Sequence, residues 1–453
     1  MKFITMKVKN QNWKQFNAFN DFVKAGNIEL QNARLIPILK TGDEQALTSI
    51  FLSSLKLIKE FRDKVFSDVK LKRSGKIYYF TEVCFKDIDK GSFFDGMILV
   101  VSSGKIVDSA IVEVKNDKNK INAEQIQRYY DIAKGLGISK VITISNEFVA
   151  TPENSIVKIK NLWKTTKLFH LSWTYIQTLG QLLLFDNDDN IDDVDQIEIM
   201  EEVLHYMSDP RSGVNGFNQM SDGWTKVSED VRNMMKSDPV DLEDAVVSWH
   251  QEEIDMKLML SRHLGVVVKS KNEDPIKKIA RNIKKLKQDN HLSTSLEIKN
   301  APSNLEIKAE FERRMLQMSV EITPNLGYKT FEGRLNSLNR QLKKMESDML
   351  NHLTITARVY QSPTPIVETY TDYENFYNED FKKKDVRRFI LTVNQSLGGS
   401  FKSKKKFVTL IEEMLKSFYE DIVQNLITYI PKPPTMKKEN KKDIESVVEK
   451  SLE

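Results

Sequence analysis

The sequence is poor in the residues that support several common kinds of active site. Its one cysteine, Cys84, excludes an intramolecular disulfide and a thiolate metal cluster, and such low cysteine usage is typical of the reducing cytoplasm. No pair of its six histidines has the spacing of a zinc site. They are His170, His205, His250, His263, His291 and His352. The chain also lacks a GxxxxGKS/T phosphate loop and a GxSxG motif, so neither NTP hydrolysis nor serine-type catalysis is predicted.

Long apolar runs are missing as well. No segment approaches the about 20 consecutive apolar residues that a membrane-spanning helix needs. The N-terminal residues 1–16 lack the apolar core of a secretory signal peptide. We therefore expect a cytoplasmic protein with no membrane partner.

What the sequence does contain is typical of a large globular protein. Hydrophobic residues make up 40% and charged residues 29% of the 453 residues, which is enough for two or three domains. The net charge of +4 is small, but the charges are unevenly distributed. Residues 186–202 are strongly acidic, whereas residues 269–287 and 382–406 are basic. Such runs usually form solvated faces, and a surface that follows nucleic-acid phosphates is the alternative for the basic ones.

The first third of the chain shows an alternation of helix and strand patterns. Apolar residues recur with a helical period over residues 43–65, and a second helix is predicted over 122–136, ended by Gly135 and Gly137. The predicted strands are 77–85, 96–102, 109–114 and 140–145. This order predicts an α/β domain with a mixed sheet over residues 1–165.

The remaining two thirds are predicted to be mostly helical, with a small β element. A helical region is expected over 166–290, followed by an α+β or helical domain over 291–434 and a charged, flexible tail over 435–453. The predicted helices are 171–184, 196–207, 241–264, 332–351 and 404–428, and residues 252–289 are typical of an exposed helical pair. The predicted strands are 292–299, 305–309 and 353–360.

The residues that carry chemistry are Asp95 and the triplet Glu113-Val114-Lys115. On a strand, Glu113 and Lys115 point to the same face, while Val112 and Val114 point to the other. Asp95 begins the preceding strand, where a hairpin can bring it beside Glu113. Two carboxylates can hold Mg²⁺, the Val114 carbonyl can add a ligand, and Lys115 can orient or deprotonate an attacking water. The alternative is an alternating, solvent-facing strand whose spacing arises by chance.

The following helix adds Gln125 and Tyr129, which lie one turn apart and share a face. Gln125 is expected to contact the scissile phosphate or to order a water molecule. An ordinary exposed glutamine and a core tyrosine are the alternatives.

With these residues the segment resembles the PD-(D/E)xK nuclease superfamily, which has the restriction-endonuclease-like fold. It is most similar to the branches with a QxxxY motif, such as the RecB-like and lambda-exonuclease-like nucleases. Asp95 matches the first acid, Glu113 and Lys115 match the ExK pair, and Gln125 and Tyr129 match QxxxY. Phe94 stands where the motif has proline. The resemblance covers about residues 40–150 and implies an αβββαβ core.

Two further acids have open assignments. In this superfamily the first core helix often contributes a third acid, and Glu44 matches that position as a further metal ligand. Glu44 equally fits a capping box in which Thr41 is the N-cap. Glu82, on the strand before Asp95, is another candidate ligand.

The resemblance implies a Mg²⁺-dependent nuclease, in which Mn²⁺ can substitute. DNA is the expected substrate, with RNA left open, and a nuclease fused to an additional region is similar to anti-phage defence effectors. The alternative function is a non-catalytic subunit that binds nucleic acid or protein on a nuclease-like fold. A homo-oligomer or a regulatory partner bound through the C-terminal region is left open. Specificity and the choice between endo- and exonuclease action do not follow from the fold.

Overall fold

The computed structural model divides the chain into two compact units, Met1–Asn218 and Gln219–Glu453. It describes residues 28–33, 35, 42–85, 93–117, 119–149, 151–160, 165–185, 191–271, 273–377 and 384–427. The predicted boundaries at 165 and 290 differ from this division, because the segment after residue 165 adds a strand and two helices to the first unit. The predicted tail, 435–453, lies outside the described residues.

The first unit is built on a six-stranded mixed sheet in the order β1 to β6. Its strands are β1 (Ile28–Asn32), β2 (Lys76–Phe85), β3 (Phe94–Ser102), β4 (Lys105–Val114), β5 (Lys140–Ser145) and β6 (Lys167–Ser172). Strands β1 to β4 pair antiparallel, while β4, β5 and β6 pair parallel. The prediction of an α/β domain with a mixed sheet is confirmed.

Helices cover both faces of this sheet. They are α1 (Glu44–Leu57), α2 (Lys59–Asp68), α3 (Ala123–Leu136), α4 (Trp173–Leu183) and α5 (Val194–Ser208). Helices α1, α2, α4 and α5 share one apolar core with the strand residues Val112 and Val114. Helix α3 packs on the opposite face, in the core that contains Ile111. Since side chains alternate along a strand, Glu113 points toward α3.

Two predicted helices of this unit differ from the structure. The helix predicted over 43–65 is interrupted at Ile58, whose extended backbone (φ −113°, ψ 107°) separates α1 from α2. The helix predicted from residue 171 begins at Trp173, because the apolar residues before it form β6. The helix predicted over 122–136 is confirmed as α3, and Gly137 ends it in the left-handed conformation (φ 76°).

The second unit contains helices, as predicted, together with a seven-stranded antiparallel sheet, so the prediction of only a small β element is wrong. In the sheet order β12-β11-β13-β10-β9-β8-β7 the strands are β7 (Lys269–Ser270), β8 (His291–Glu297), β9 (Leu305–Glu310), β10 (Met315–Ile322), β11 (Leu353–Val359), β12 (Ile366–Thr369) and β13 (Val386–Ser396). The sequence pattern does not predict β10 and β13. In both strands the buried apolar residues alternate with charged and amide side chains such as Gln317, Arg388 and Asn394.

The helices of the second unit are α6 (Asp222–Arg232), α7 (Pro239–Leu264), α8 (Pro275–Asp289), α9 (Phe331–Leu342) and α10 (Lys404–Ser417). Trp224 on α6 stacks on Trp249 of α7 and contacts Phe311, Phe401 and Phe407, which fills the core of this unit with aromatic rings. The predicted exposed helical pair over 252–289 is wrong for α7, since Glu252, Glu253 and Asp255 are buried. No helix among the described residues has the length and apolarity to cross a lipid bilayer.

Candidate active site

Three acids lie in one row across neighbouring strands of the first sheet. The antiparallel pairs Gly96–Val112 and Thr81–Gly96 fix the register of β2, β3 and β4. Asp95, the residue before Gly96, therefore lies across from Glu82 on one side and beside Glu113, one position past the last β3–β4 pair, on the other. Glu82 adopts a left-handed backbone conformation (φ 52°), which is rare for a residue with a Cβ and marks local strain.

Lys115 joins Glu113 to the first helix. Its Nζ lies 2.8 Å from Oε1 of Glu113 and 3.1 Å from Oε2 of Glu44, and it donates to the Val114 carbonyl oxygen at 3.0 Å. The other oxygen of Glu44, Oε1, accepts a hydrogen bond of 2.8 Å from Nδ2 of Asn119. The Lys115 ammonium is therefore the centre of a set of acceptors from α1 and β4.

The carboxylate of Glu44 thus faces the site rather than its own helix end. The N-cap of α1 is Asp43, which makes no side-chain cap hydrogen bond, and Glu44 is the first helical residue. The capping-box alternative also needed Thr41, which lies outside the described residues. The structure places Glu44 beside Lys115, as expected for an acid contributed by the first core helix.

Helix α3 brings Gln125 and Tyr129 to the same place. The helix begins at Asn122, whose side chain accepts hydrogen bonds from the backbone N–H groups of Glu124 and Gln125. Nε2 of Gln125 then donates to Oε1 of Glu113 at 2.7 Å and lies 3.1 Å from the Tyr129 hydroxyl. The Tyr129 side chain is buried, so its ring packs in the core while its hydroxyl positions Gln125.

Asp95 is held by the backbone of β4. Its Oδ2 accepts a hydrogen bond of 2.7 Å from the Val114 N–H. The Val114 carbonyl, a predicted metal ligand, accepts instead from Lys115 in this structure. The predicted residues of the motif therefore meet at one point, but Val114 uses both of its backbone groups within the protein.

The buried carboxyl groups resist ionisation together. Burial raises the pKa of Glu113 to about 8, with the Asp95 carboxylate adding to the rise and Lys115 opposing it. Burial also raises the pKa of Asp95, against the Val114 N–H and Lys115, which lower it. Glu82 has a pKa raised to about 7 by burial and by the nearby Asp95 and Asp43. The arrangement concentrates negative charge where little water can screen it.

Apart from a hydrogen bond between the Glu113 and Asp95 carboxyl groups, one buried oxygen of this group lacks a donor within the protein. Oε2 of Glu113 is fully buried and accepts no hydrogen bond from any described residue. A buried carboxylate oxygen without a donor costs about 1–3 kcal/mol, and a bound cation would supply the missing contact. Magnesium is commonly held by one or two carboxylates, with water in its other positions. Asp95 and Glu113 fit that requirement.

Other acids do not complete a larger set. Among the described residues, no group of three or more histidine, cysteine, aspartate or glutamate side chains is placed to hold a metal ion. Glu44 is turned toward Lys115 and Asn119. Of the predicted metal ligands, Asp95 and Glu113 are thus the two that lie together. Oε2 of Glu113 is the oxygen that remains available to a cation.

Several supporting residues were not identified from the sequence. Nε1 of Trp173 donates to the Lys115 carbonyl oxygen at 2.9 Å. Nδ2 of Asn116 donates to the carbonyl oxygens of Gly42, at 2.7 Å, and Ser212, at 3.1 Å, just before α1 and after α5. Asn116 and Asn119 follow Lys115 by one and four positions, and this closeness is the only sequence feature that could have suggested these two asparagines.

A groove of about 830 Å³ runs along the other side of α3. Lys158, Lys160 and Arg128 line it together with apolar residues of the helix. The side chain of Gln127 accepts from the Lys160 N–H at 2.7 Å and donates to its carbonyl oxygen at 3.3 Å. These bonds anchor the side of α3 that carries Gln127 to residue 160. They help to hold the helix in the position from which Gln125 contacts Glu113.

In comparisons with known proteins, no protein-family model and no curated protein matches this chain.

Proposed function

We propose that the first unit is a metal-dependent nuclease with a restriction-endonuclease-like core, and that it hydrolyses phosphodiester bonds, foremost in DNA. The observation that carries the proposal is the convergence of Lys115 and Gln125 on Oε1 of Glu113 beside the buried carboxyl group of Asp95, which leaves Oε2 of Glu113 without a hydrogen-bond donor. The order of α1, β2, β3, β4, α3 and β5 supports the αβββαβ core.

Asp95 and Glu113 are the residues that would hold Mg²⁺ or Mn²⁺. A bound Mg²⁺ neutralises phosphate charge and lowers the pKa of water. The chain's own residues keep the two carboxylates together: the Val114 N–H fixes Asp95, and Gln125 with Lys115 fixes Oε1 of Glu113. Oε2 of Glu113 is left for the cation.

Lys115 is proposed to orient the attacking water and to interact with phosphate as a cation. Its ammonium contacts acceptors on Glu113, Glu44 and Val114, an arrangement that favours the protonated form. Burial alone would lower the pKa of Lys115, but Glu113, Asp95 and Glu44 outweigh it and raise that pKa. Gln125 is proposed to order the same water or a phosphate oxygen through its amide.

A second candidate function is a non-catalytic binding subunit on the same fold. Two observations favour it: no three-acid metal group occurs among the described residues, and Val114 and Glu44 are already engaged by Lys115. The catalytic proposal requires only two carboxylates and water, so it remains the better supported of the two.

The deciding experiment is a cleavage assay on plasmid, linear and single-stranded DNA and on RNA, with Mg²⁺, Mn²⁺ or EDTA. We expect metal-dependent cleavage by the wild type and a loss of at least about 100-fold in Asp95→Asn, Glu113→Gln and Lys115→Met. The matched control is Glu124→Gln, an exposed acid on α3. The proposal is overturned if the site variants cleave as fast as the wild type. Absence of cleavage of every substrate, combined with metal-independent nucleic-acid binding, would establish the binding subunit.

A further inference from the structure

Helix α8 of the second unit carries positive charge along its whole exposed side. Between Pro275 and Gln288 every charged residue is basic, namely Lys277, Lys278, Arg281, Lys284, Lys285 and Lys287. Four of them, Lys277, Arg281, Lys284 and Lys287, are exposed, and we call these four the α8 cationic face. The acidic residues of this segment lie only at its ends.

Little of this charge is neutralised within the protein. Arg281 pairs with Glu273 at 2.6 Å, and the half-buried Lys278 pairs with Glu253 at 2.6 Å. In the part of the chain that the structure describes, Lys277, Lys284 and Lys287 form no ion pair. Three ammonium groups are therefore available to an external anion.

The arrangement opposes the stability of the helix itself. Lys277 and Arg281 are four residues apart, and Arg281, Lys284 and Lys287 follow at intervals of three, so like charges are neighbours along one face. Each such pair destabilises a helix by about 0.2–0.5 kcal/mol. Lys277 also lies in the first turn, where the helix dipole disfavours a cation. The helix dipole favours Lys287 in the last turn, but it does not explain the cations at Lys277, Arg281 and Lys284.

The apolar side of α8 is already used by the second unit. Leu286 and Asn282 are buried, and Nδ2 of Asn282 lies 2.8 Å from Nε2 of His250 on α7. The helix contacts α7 and β8. An amphipathic helix binds a lipid surface by inserting its apolar face, and here that face is packed around Leu286, with Ile276 at the helix start exposed. The observations thus favour a partner that needs only the charges.

The positive surface is confined to the helix. Nζ of Lys285 donates to the Ser293 hydroxyl on β8 at 2.7 Å, and Ser293 pairs across the strands with Lys308 on β9. Lys308 lies between Glu306 and Glu310 on that strand and pairs with Glu310 at 3.9 Å, so the adjacent sheet adds no net positive charge.

We propose that the α8 cationic face binds the phosphate backbone of nucleic acid. Lys277 and Lys287 are ten residues apart, which is about 15 Å along a helix. Duplex DNA carries one charge per about 1.7 Å of its axis, so each cation of this face has phosphates within reach. The inference rests on the proposed nuclease function for the identity of the polyanion as nucleic acid. It assigns backbone binding, without base recognition, to the second unit.

The test is binding of a labelled DNA duplex to the full chain in EDTA, followed by fluorescence anisotropy over a series of salt concentrations. The variant is the triple substitution Lys277→Gln, Lys284→Gln and Lys287→Gln. The control removes equal charge from exposed positions elsewhere in the unit, by Lys299→Gln, Lys343→Gln and Lys344→Gln. We expect the α8 variant to bind at least about tenfold more weakly and its slope of log K against log salt to fall by about 3, near 0.9 per lost phosphate contact.

Folding of the variant is checked by thermal melting. Because the substitutions remove repulsion along the helix, the α8 variant should melt no lower than the wild type. Equal binding by the α8 variant and the control would overturn the proposal. So would α8-dependent binding to phosphatidylserine vesicles with no binding to DNA or RNA. If binding depends on α8 but no substrate is cleaved with Mg²⁺ or Mn²⁺, the nuclease proposal fails while this one holds.

Discussion

Asp95, one residue beyond the last β3–β4 pair Gly96–Val112, accepts a hydrogen bond from the Val114 N–H and lies beside the carboxyl group of Glu113. Antiparallel neighbours have Cβ atoms about 4.5–5.5 Å apart, so the strand register alone holds the two carboxyl groups together. In the absence of a cation this pairing is unfavourable, and burial raises the pKa of both groups. The proposed binding of a cation would relieve this local cost.

Substitution of Glu113 should separate stability from activity. We expect Glu113→Gln to abolish cleavage and yet to leave the metal-free protein no less stable, because it removes the repulsion between the Asp95 and Glu113 carboxylates while Lys115 keeps Glu44 and the Val114 carbonyl as partners. Chemical unfolding in EDTA measures the stability, and Glu124→Gln, on the exposed side of α3, should change neither property. A destabilised Glu113→Gln protein would contradict the account of the site.

Substitution of Lys115, by contrast, should lower the stability of the protein. Lys115→Met leaves Glu113 and Glu44 without their cation, so we expect a loss of about 3–5 kcal/mol in the free energy of unfolding, together with a loss of cleavage. In a double-mutant cycle, Glu113→Gln should restore part of that stability but none of the activity. Additive effects of the two substitutions would show that the residues do not interact.

The close approach of α1 to the sheet depends on Gly96. A Cβ at this position would lie 2.8 Å from Cδ1 of Leu52 and 3.2 Å from Cβ of Val112. We expect Gly96→Ala to destabilise the protein by about 1–3 kcal/mol and to lower activity, because α1, which carries Glu44, must move. The control is Gly135→Ala in α3, where a Cβ meets no atom within 4 Å. That substitution should stabilise by about 0.5–1 kcal/mol.

A buried ion pair away from the site should give the protein an acid-sensitive stability. Oδ1 of Asp108 lies 2.7 Å from Nζ of Lys140 and 2.5 Å from the Ser139 hydroxyl. Burial alone would raise the pKa of Asp108, but its hydrogen bonds from Lys140, Ser139 and the Lys72 N–H outweigh burial and lower it.

Since the folded-state pKa of Asp108 is depressed, its contribution is complete above the ordinary value near 3.8 and is lost as the pH falls below it. Asp108→Asn should therefore cost about 3–5 kcal/mol at neutral pH, where it leaves Lys140 buried and unpaired. The difference from the wild type should shrink below about pH 4 in melting experiments. A constant difference between pH 3 and pH 7 would refute this assignment.

The parts that sequence reasoning predicted well have strong local signals. Helix α3 was predicted within one residue because Asn122 caps its start and Gly137 ends it, and β5 is a short run of buried apolar residues. The motif residues Asp95, Glu113, Lys115 and Gln125 were predicted to be neighbours because strand and helix periods fix which side chains share a face. Their contacts agree with that prediction.

The features that the sequence did not predict depend on contacts between segments that are far apart in the chain. Glu82 adopts its left-handed conformation at a bulge in the pairing of β1 with β2, which no local pattern announces. Strand β13 lies in a basic run, which by itself indicates a solvated segment. Its Arg388 instead pairs across the sheet with Glu321, and no local pattern predicts that pair. Asn119 contacts Glu44, 75 positions away.

Two hydrogen bonds that support the site come from residues far along the chain, so they can form only late in synthesis. The carbonyl of Lys115 is bound by Trp173, 58 positions later, and Asn116 is bound by the Ser212 carbonyl, 96 positions later. A ribosome must therefore add about half of the first unit after Lys115 before these supports are present. A nascent chain released at residue 165 would carry the whole motif without these two contacts, so on the proposed nuclease function we expect the site to become competent only after Ser212 has been added.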